Sequence, residues 1–220
     1  MTRRELRPLS APARAVYRTL RGAGVLVARG YWRLEVEGVE RLPTTGPFVV
    51  APVHRSYVDF FIVALAFPRC LRFMVKNSIW KSKGFGAFVE WMGSFPVDRD
   101  RPDRDALRAC EQAVAMGDPV VMFPEGQRRD GDTVVDLFDG PAWVACRHRV
   151  PVVPVGIGGS QRAMPRGARF VFPARVTVVV GEPIYPDVDT SGRVPRRKVA
   201  EMTERVQVEV QRLYDQARAA

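Results

Sequence analysis

The sequence predicts a single-domain α/β fold with a largely parallel central sheet flanked by helices, preceded by an amphipathic basic helix. Three observations carry this. Apolar runs with strand character alternate with helical segments of about ten residues or more, the pattern of helices packed on a parallel sheet. The chain has 220 residues, enough for one well-buried core. Its 46% hydrophobic and 26% charged residues, with 18 glycines and 18 prolines spread along it, are those of a folded globular protein. Low-complexity and collagen-like classes are excluded.

Residues 12–31 set Val16, Leu20, Ala23, Val27 and Tyr31 at three- and four-residue steps, with Arg14, Arg18, Arg21 and Arg29 on another face. That periodicity is an amphipathic basic helix, loosened at Gly22 and Gly24. Two readings stand: a helix packed on the domain with a solvated arginine face, or a helix lying on an anionic membrane surface. Strands follow at 31–36 and 47–51, a helix at 57–67, a strand at 71–75, a helical region at 78–92 and a short strand at 95–97. A helix at 103–116, a buried strand at 119–123, a helix at 141–148, strands at 151–157 and 176–180, and an amphipathic helix at 194–217 complete the order. On the second reading residues 1–34 are expected to be a basic membrane-surface segment and 35–220 the folded body, with a short flexible join at 190–197.

The formal charge of +10 is uneven: residues 1–34 carry +7, residues 193–220 carry +3, and the body between them is neutral. An anionic surface is therefore the partner expected at the ends. A nucleic-acid partner is not expected, because that would want basic residues interleaved with aromatics across the folded face. Cys70, Cys110 and Cys146 lie far apart without any Cys-x-x-Cys spacing, so neither a disulfide framework nor a zinc site is expected, and a reducing cytosol is the natural compartment. The basic start lacks the apolar stretch of a secretory signal, and no run approaches the about 20 apolar residues of a bilayer span. A peripheral place on the cytoplasmic face of the cell membrane is the expectation.

Most conventional motifs are missing. There is neither a Gly-x-x-x-x-Gly-Lys-Ser/Thr phosphate loop nor a Gly-x-Ser-x-Gly elbow, and Gly156-Ile157-Gly158-Gly159-Ser160-Gln161 has Gln where the dinucleotide fingerprint wants Gly. The two histidines stand out instead. His54 lies in Val53-His54-Arg55-Ser56-Tyr57-Val58-Asp59, between a strand and a helix. Residues five apart on one helix would be separated by about 140°. Because the turn falls between them, His54 can fold back and meet Asp59 in the first helical turn. Such a carboxylate fixes the imidazole tautomer and stabilises the imidazolium formed when His takes a proton. Ser56-x-x-Asp59 equally resembles a capping box, in which Asp59 would only cap the helix. His148, between Arg147 and Arg149 at a helix end, reads as a dipole-complementing residue.

Two further clusters carry charge beside glycine. Gly93-Ser94-Phe95-Pro96-Val97-Asp98-Arg99 is one. Phe123-Pro124-Glu125-Gly126-Gln127-Arg128-Arg129, just past the buried strand, is the other. Arginine offers a planar fork matched to phosphate, and glycine lets a backbone N–H approach a ligand oxygen. Either cluster alone also reads as a solvated turn.

Together the segments resemble the glycerolphosphate (lysophospholipid) acyltransferase family. The His54 to Asp59 block matches its His-x4-Asp motif, Gly93 to Arg99 looks like its second block, and Phe123 to Arg128 matches Phe-Pro-Glu-Gly-Thr-Arg with Gln127 in the threonine place. Val150 to Val155 is similar to the proline-valine strand, and Gly181-Glu182-Pro183-Ile184 to the late strand ending. Val53 stands where the family usually has Asn. The resemblance implies transfer of a fatty acyl group from acyl-CoA or acyl carrier protein to a hydroxyl of 1-acylglycerol 3-phosphate, giving phosphatidic acid. Free glycerol 3-phosphate is the alternative acceptor, and a non-catalytic membrane lipid-binding protein the alternative of another class. In the implied mechanism His54 is the general base and Asp59 orients it, with no covalent enzyme intermediate, metal or cofactor. Arg99 and Arg128 would hold the phosphate, Lys76 would be a further phosphate contact, and Glu125 and Gly126 would shape the acceptor site. A backbone N–H near Gly126 would serve the oxyanion.

Overall fold

The computed structural model describes residues 6, 8–76, 83–97, 104–188 and 193–220. Within them the chain runs α1 (Ala11–Tyr31), β1 (Glu35–Glu37), a 3-10 turn at Val39–Arg41, β2 (Val49–Pro52), α2 (Asp59–Ala66), β3 (Arg72–Lys76), α3 (Lys83–Trp91) and β4 (Phe95–Val97). It continues with α4 (Arg104–Ala115), β5 (Val120–Val121), α5 (Gly140–His148), β6 (Val152–Gly158), α6 (Ser160–Ala163), β7 (Thr177–Val180) and α7 (Arg196–Ala219). The expected alternation is present. Part of the helical region expected at 78–92, and of the join at 190–197, lies outside the described residues.

Seven strands form one sheet in the order β1-β7-β6-β2-β5-β3-β4. All neighbours are parallel except β6 and β7, which are antiparallel. The exception follows from the connection, which carries only the four-residue α6 and so lacks a helix long enough to cross the sheet. β2 and β6 are buried along their whole length, as strands covered on both faces must be.

On one face α7 lies directly against β6. A Cβ on Gly156 would collide with the backbone of Leu213, and one on Gly158 with that of Ala217. The bare glycine backbone of β6 is what allows this approach. Val199, Met202, Val206, Val210 and Leu213 form the buried stripe of α7, at helical spacing.

The first helix is set on the domain in a way its periodicity does not show. Its buried residues are Ala13, Tyr17 and Ala28, and Gly24 sits against the Leu65 side chain of α2. The larger stripe Val16, Leu20, Val27 and Tyr31 points outward, with Val27 68% exposed. Ala13, Gly24 and Ala28 let α1 approach the body closely and Tyr17 packs into it, while Val16, Leu20 and Val27 stay exposed.

Candidate active site

β2 sits at the middle of the sheet, paired with β6 on one side and β5 on the other, both parallel to it. Their carboxyl ends therefore open on one edge, where ligands of open α/β sheets bind. His54 follows β2 and Glu125 follows β5, with Val49 and Val50 in register with Val120 and Val121. The Val49–Val50 and Val120–Val121 pairing thus brings together residues 71 positions apart.

His54 is buried, and its Nδ1 lies 3.0 Å from Asp59 Oδ2. The same oxygen accepts from the backbone N–H groups of Arg55 at 2.7 Å and Ser56 at 2.6 Å. Three donors on one carboxylate oxygen fix Asp59 in place, and the charged acceptor requires Nδ1 to carry the proton. Nε2, left as the lone-pair nitrogen, has no hydrogen-bond partner among the described residues. Phe123 stacks against the imidazole, ring centroids 4.1 Å apart, and limits its rotation.

Half of the capping box is present. Asp59 reaches back to the Ser56 N–H as such a box requires, but the Ser56 hydroxyl donates to the Met164 carbonyl at 2.9 Å rather than capping α2. Ser56 consequently ties the His54 turn to the end of α6. No enzyme nucleophile is hydrogen-bonded to His54 among the described residues.

Glu125, expected to shape the acceptor site, lies against the backbone of the His54 turn. It is fully buried; Oε2 accepts the His54 backbone N–H at 2.8 Å, and both oxygens accept Arg55 Nη1, at 2.6 and 2.7 Å. Arg55 is the residue that sequence reasoning missed. Its side chain is fully enclosed, its Nε and Nη2 donate to the Gly131 and Thr133 carbonyls, and its guanidinium lies over the Tyr214 ring of α7. The only signal for it was an arginine inside the His54 to Asp59 block, which reads as surface charge until its carboxylate is located. Together Arg55 and Glu125 hold the His54 turn from behind.

Gly126 adopts φ +66° at the exposed turn, where a side chain would be strained and would meet the Phe138 ring 2.6 Å away. Its own N–H donates to the Phe123 carbonyl at 3.0 Å, so the oxyanion donor expected near Gly126 would be a neighbouring N–H. Arg128 stacks on Tyr57, with Cζ 3.2 Å from the ring centroid, and this places a cation beside the turn between His54 and Asp59. Lys76 ends β3 on the same edge of the sheet, paired with Val97; its side chain lies outside the described part. Arg99 also lies outside the described residues. Among the described residues no group of three or more His, Cys, Asp or Glu is arranged to hold a metal ion.

A single imidazole held by a buried carboxylate at the carboxyl edge of a parallel sheet, with no serine or cysteine partner, has the makings of a base that activates a substrate hydroxyl directly. Residues 33–158 match the acyltransferase family, and the chain belongs to it. The chain is 26% identical to a 1-acyl-sn-glycerol-3-phosphate acyltransferase of Bacillus subtilis, over 82% of this chain and 87% of that protein. It is likewise 26% identical to the enzyme of that name from Streptococcus pneumoniae, over 93% and 75%. A chloroplastic relative from Brassica napus is 29% identical, and the match covers 78% of this chain but about half (51%) of that longer protein. Among solved structures, the crystal structure of the 1-acyl-sn-glycerophosphate acyltransferase PlsC from Thermotoga maritima shares the fold, with a TM-score of 0.71 at 24% identity over 90% of this chain and 81% of that one.

Proposed function

We propose that this acyltransferase moves a fatty acyl group from an acyl thioester, acyl-CoA or acyl carrier protein, to the free hydroxyl of 1-acylglycerol 3-phosphate, forming phosphatidic acid. The observation that carries this reading is the buried 3.0 Å contact between His54 Nδ1 and Asp59 Oδ2, which leaves Nε2 as the base. The names of the Bacillus and Streptococcus relatives support the acceptor.

Nε2 takes the proton of the acceptor hydroxyl as its oxygen attacks the thioester carbonyl. The tetrahedral oxyanion then collapses, the carbon–sulfur bond breaks, and the departing thiolate takes the proton back from the imidazolium. Ester and thiol are the products, and no bond to the enzyme forms. Asp59 stabilises the imidazolium in between. Arg128 at the mouth receives the acceptor phosphate, with Arg99 and Lys76 as further cations of that subsite.

The outward stripe of α1 supports reading residues 1–34 as a membrane-surface segment, placed by the proposal on the cytoplasmic face: the helix turns Ala13, Tyr17 and Ala28 to the body and offers Val16, Leu20 and Val27 with exposed arginines to its surroundings. Among the described residues no helix is long and apolar enough to cross a membrane.

The test is turnover of acyl-CoA or acyl carrier protein with 1-acylglycerol 3-phosphate and, separately, with glycerol 3-phosphate, the products identified by mass. Phosphatidic acid from the first acceptor is expected. Product only from the second would reassign the acceptor, and product from neither would overturn the proposal.

A further inference from the structure

The apolar surface does not end with α1. In the segment joining α6 to β7, Phe170 is 75% exposed, and Val171 and Phe172 beside it are also exposed. Their backbone is nonetheless held firmly. The Phe172 N–H donates to the Ala163 carbonyl at 2.8 Å, Tyr31 Oη donates to the Val171 carbonyl at 2.9 Å, and Trp32 Nε1 donates to the Phe172 carbonyl at 3.2 Å. Three hydrogen bonds thus fix a turn whose side chains are directed away from the core. Tyr31 is the last residue of the outward stripe of α1, so the two apolar surfaces are continuous.

We propose that Phe170-Val171-Phe172 is a second membrane-contacting element, which together with α1 seats the mouth of the His54 site on an anionic lipid surface. The link to the site is short and runs through two hydrogen bonds to adjacent residues. Ala163 anchors Phe172, and the adjacent Met164 carbonyl accepts the Ser56 hydroxyl from the His54 turn. Exposed Tyr57 and Phe61, flanking Asp59, extend the same apolar character to the mouth itself.

Charge selects the occupant. Arg29, Arg33, Arg162 and Arg169 are exposed around this surface and make no ion pair among the described residues. Apolar side chains rimmed by unpaired cations match the boundary between acyl chains and anionic headgroups. A second copy of the chain would instead set the same arginines against one another. The proposal deepens the acyltransferase reading, on which it rests for the idea that the acceptor is borne by a bilayer.

The experiment places an environment-sensitive fluorophore at Phe170→Cys and, in a second chain, at Val27→Cys, with the identically treated unsubstituted chain as control. Each is mixed with phosphatidylglycerol vesicles or with phosphatidylcholine vesicles. Blue-shifted emission from both positions on the anionic vesicles is expected. The Phe170→Ser/Phe172→Ser variant should bind those vesicles roughly ten-fold more weakly while keeping its circular dichroism and thermal midpoint. A shift at position 27 without one at 170 would overturn the second element and leave α1 standing. A shift at 170 that grows with protein concentration and needs no vesicles would show an interface between copies and overturn the proposal. Loss of vesicle binding in a variant that still acylates a soluble short-chain acceptor separates this inference from the assignment of the reaction.

Discussion

Replacing Glu125 by Gln tests the architecture behind the catalytic turn most directly. Two donors, the His54 N–H and Arg55 Nη1, converge on Oε2, while Oε1 takes a second contact from Arg55. A glutamine offers a single acceptor oxygen, so its amide faces a donor wherever it turns, and the guanidinium, whose side chain is fully enclosed, loses its counter-charge. Removing one partner of a buried ion pair costs about 3–5 kcal/mol, because the other is left buried and uncompensated. Against a total stability of about 5–15 kcal/mol, that is a large fraction. At about 2–4 °C per kcal/mol for a chain of this size, the thermal midpoint should fall by roughly 10 °C. Urea unfolding followed by circular dichroism gives the stability, and initial rates give kcat and KM. The expected result is a less stable protein with a reduced kcat, since the imidazole loses the anchor of its own backbone. Arg55→Met/Glu125→Leu should recover part of the stability but not the kcat. If Glu125→Gln kept its stability and kcat and raised only the KM for the acceptor, Glu125 would be a substrate contact and the positioning role would be refuted.

Four other substitutions have expected outcomes. His54→Ala should lower kcat by about 10² to 10⁴ in a protein that melts normally, and Asp59→Asn should lower it within the same range while also costing about 1–3 kcal/mol through the Arg55 and Ser56 N–H groups it leaves poorly paired; steady-state rates and urea unfolding check both. Gly158→Ala should destabilise by about 3 kcal/mol or more, since its Cβ meets the backbone of α7 rather than a movable side chain; an unchanged urea midpoint would contradict the close packing of α7 on β6. Burial holds the His148 imidazole below its ordinary value of 6.5, an effect that Glu111 opposes and Arg147 assists. The unfolded chain therefore takes up its proton at a higher pH than the folded one, so stability is lost as pH falls below about 6.5. His148→Gln should flatten that part of the pH profile of the unfolding midpoint, and an identical slope in both proteins would exclude the assignment.

Much of this was legible in one dimension because it is local. Alternating strand and helix periodicities depend on side chains two to four positions apart, and the His54 to Asp59 contact closes within a single turn. His54 and Asp59 read correctly as partners for that reason. The ion pair of Glu125 with Arg55 was not legible, because it depends on which strand lies beside β2, and adjacency in a sheet is set by packing between residues 71 positions apart. Arg55 was invisible for the same reason: an arginine reads as solvated until tertiary structure encloses it and supplies a carboxylate.

The sequence by itself determined the α/β class, the element order, the neutral body with basic ends and the pairing of His54 with Asp59, all properties of spacing and composition. Tertiary structure decided which way each surface faces. On α1 the period of the apolar stripe was correct, yet Ala13, Tyr17, Gly24 and Ala28, not Val16, Leu20 and Val27, meet the domain. A helical wheel ranks faces by hydrophobicity, whereas close docking on a finished body is governed by shape, and shape belongs to the partner as much as to the helix.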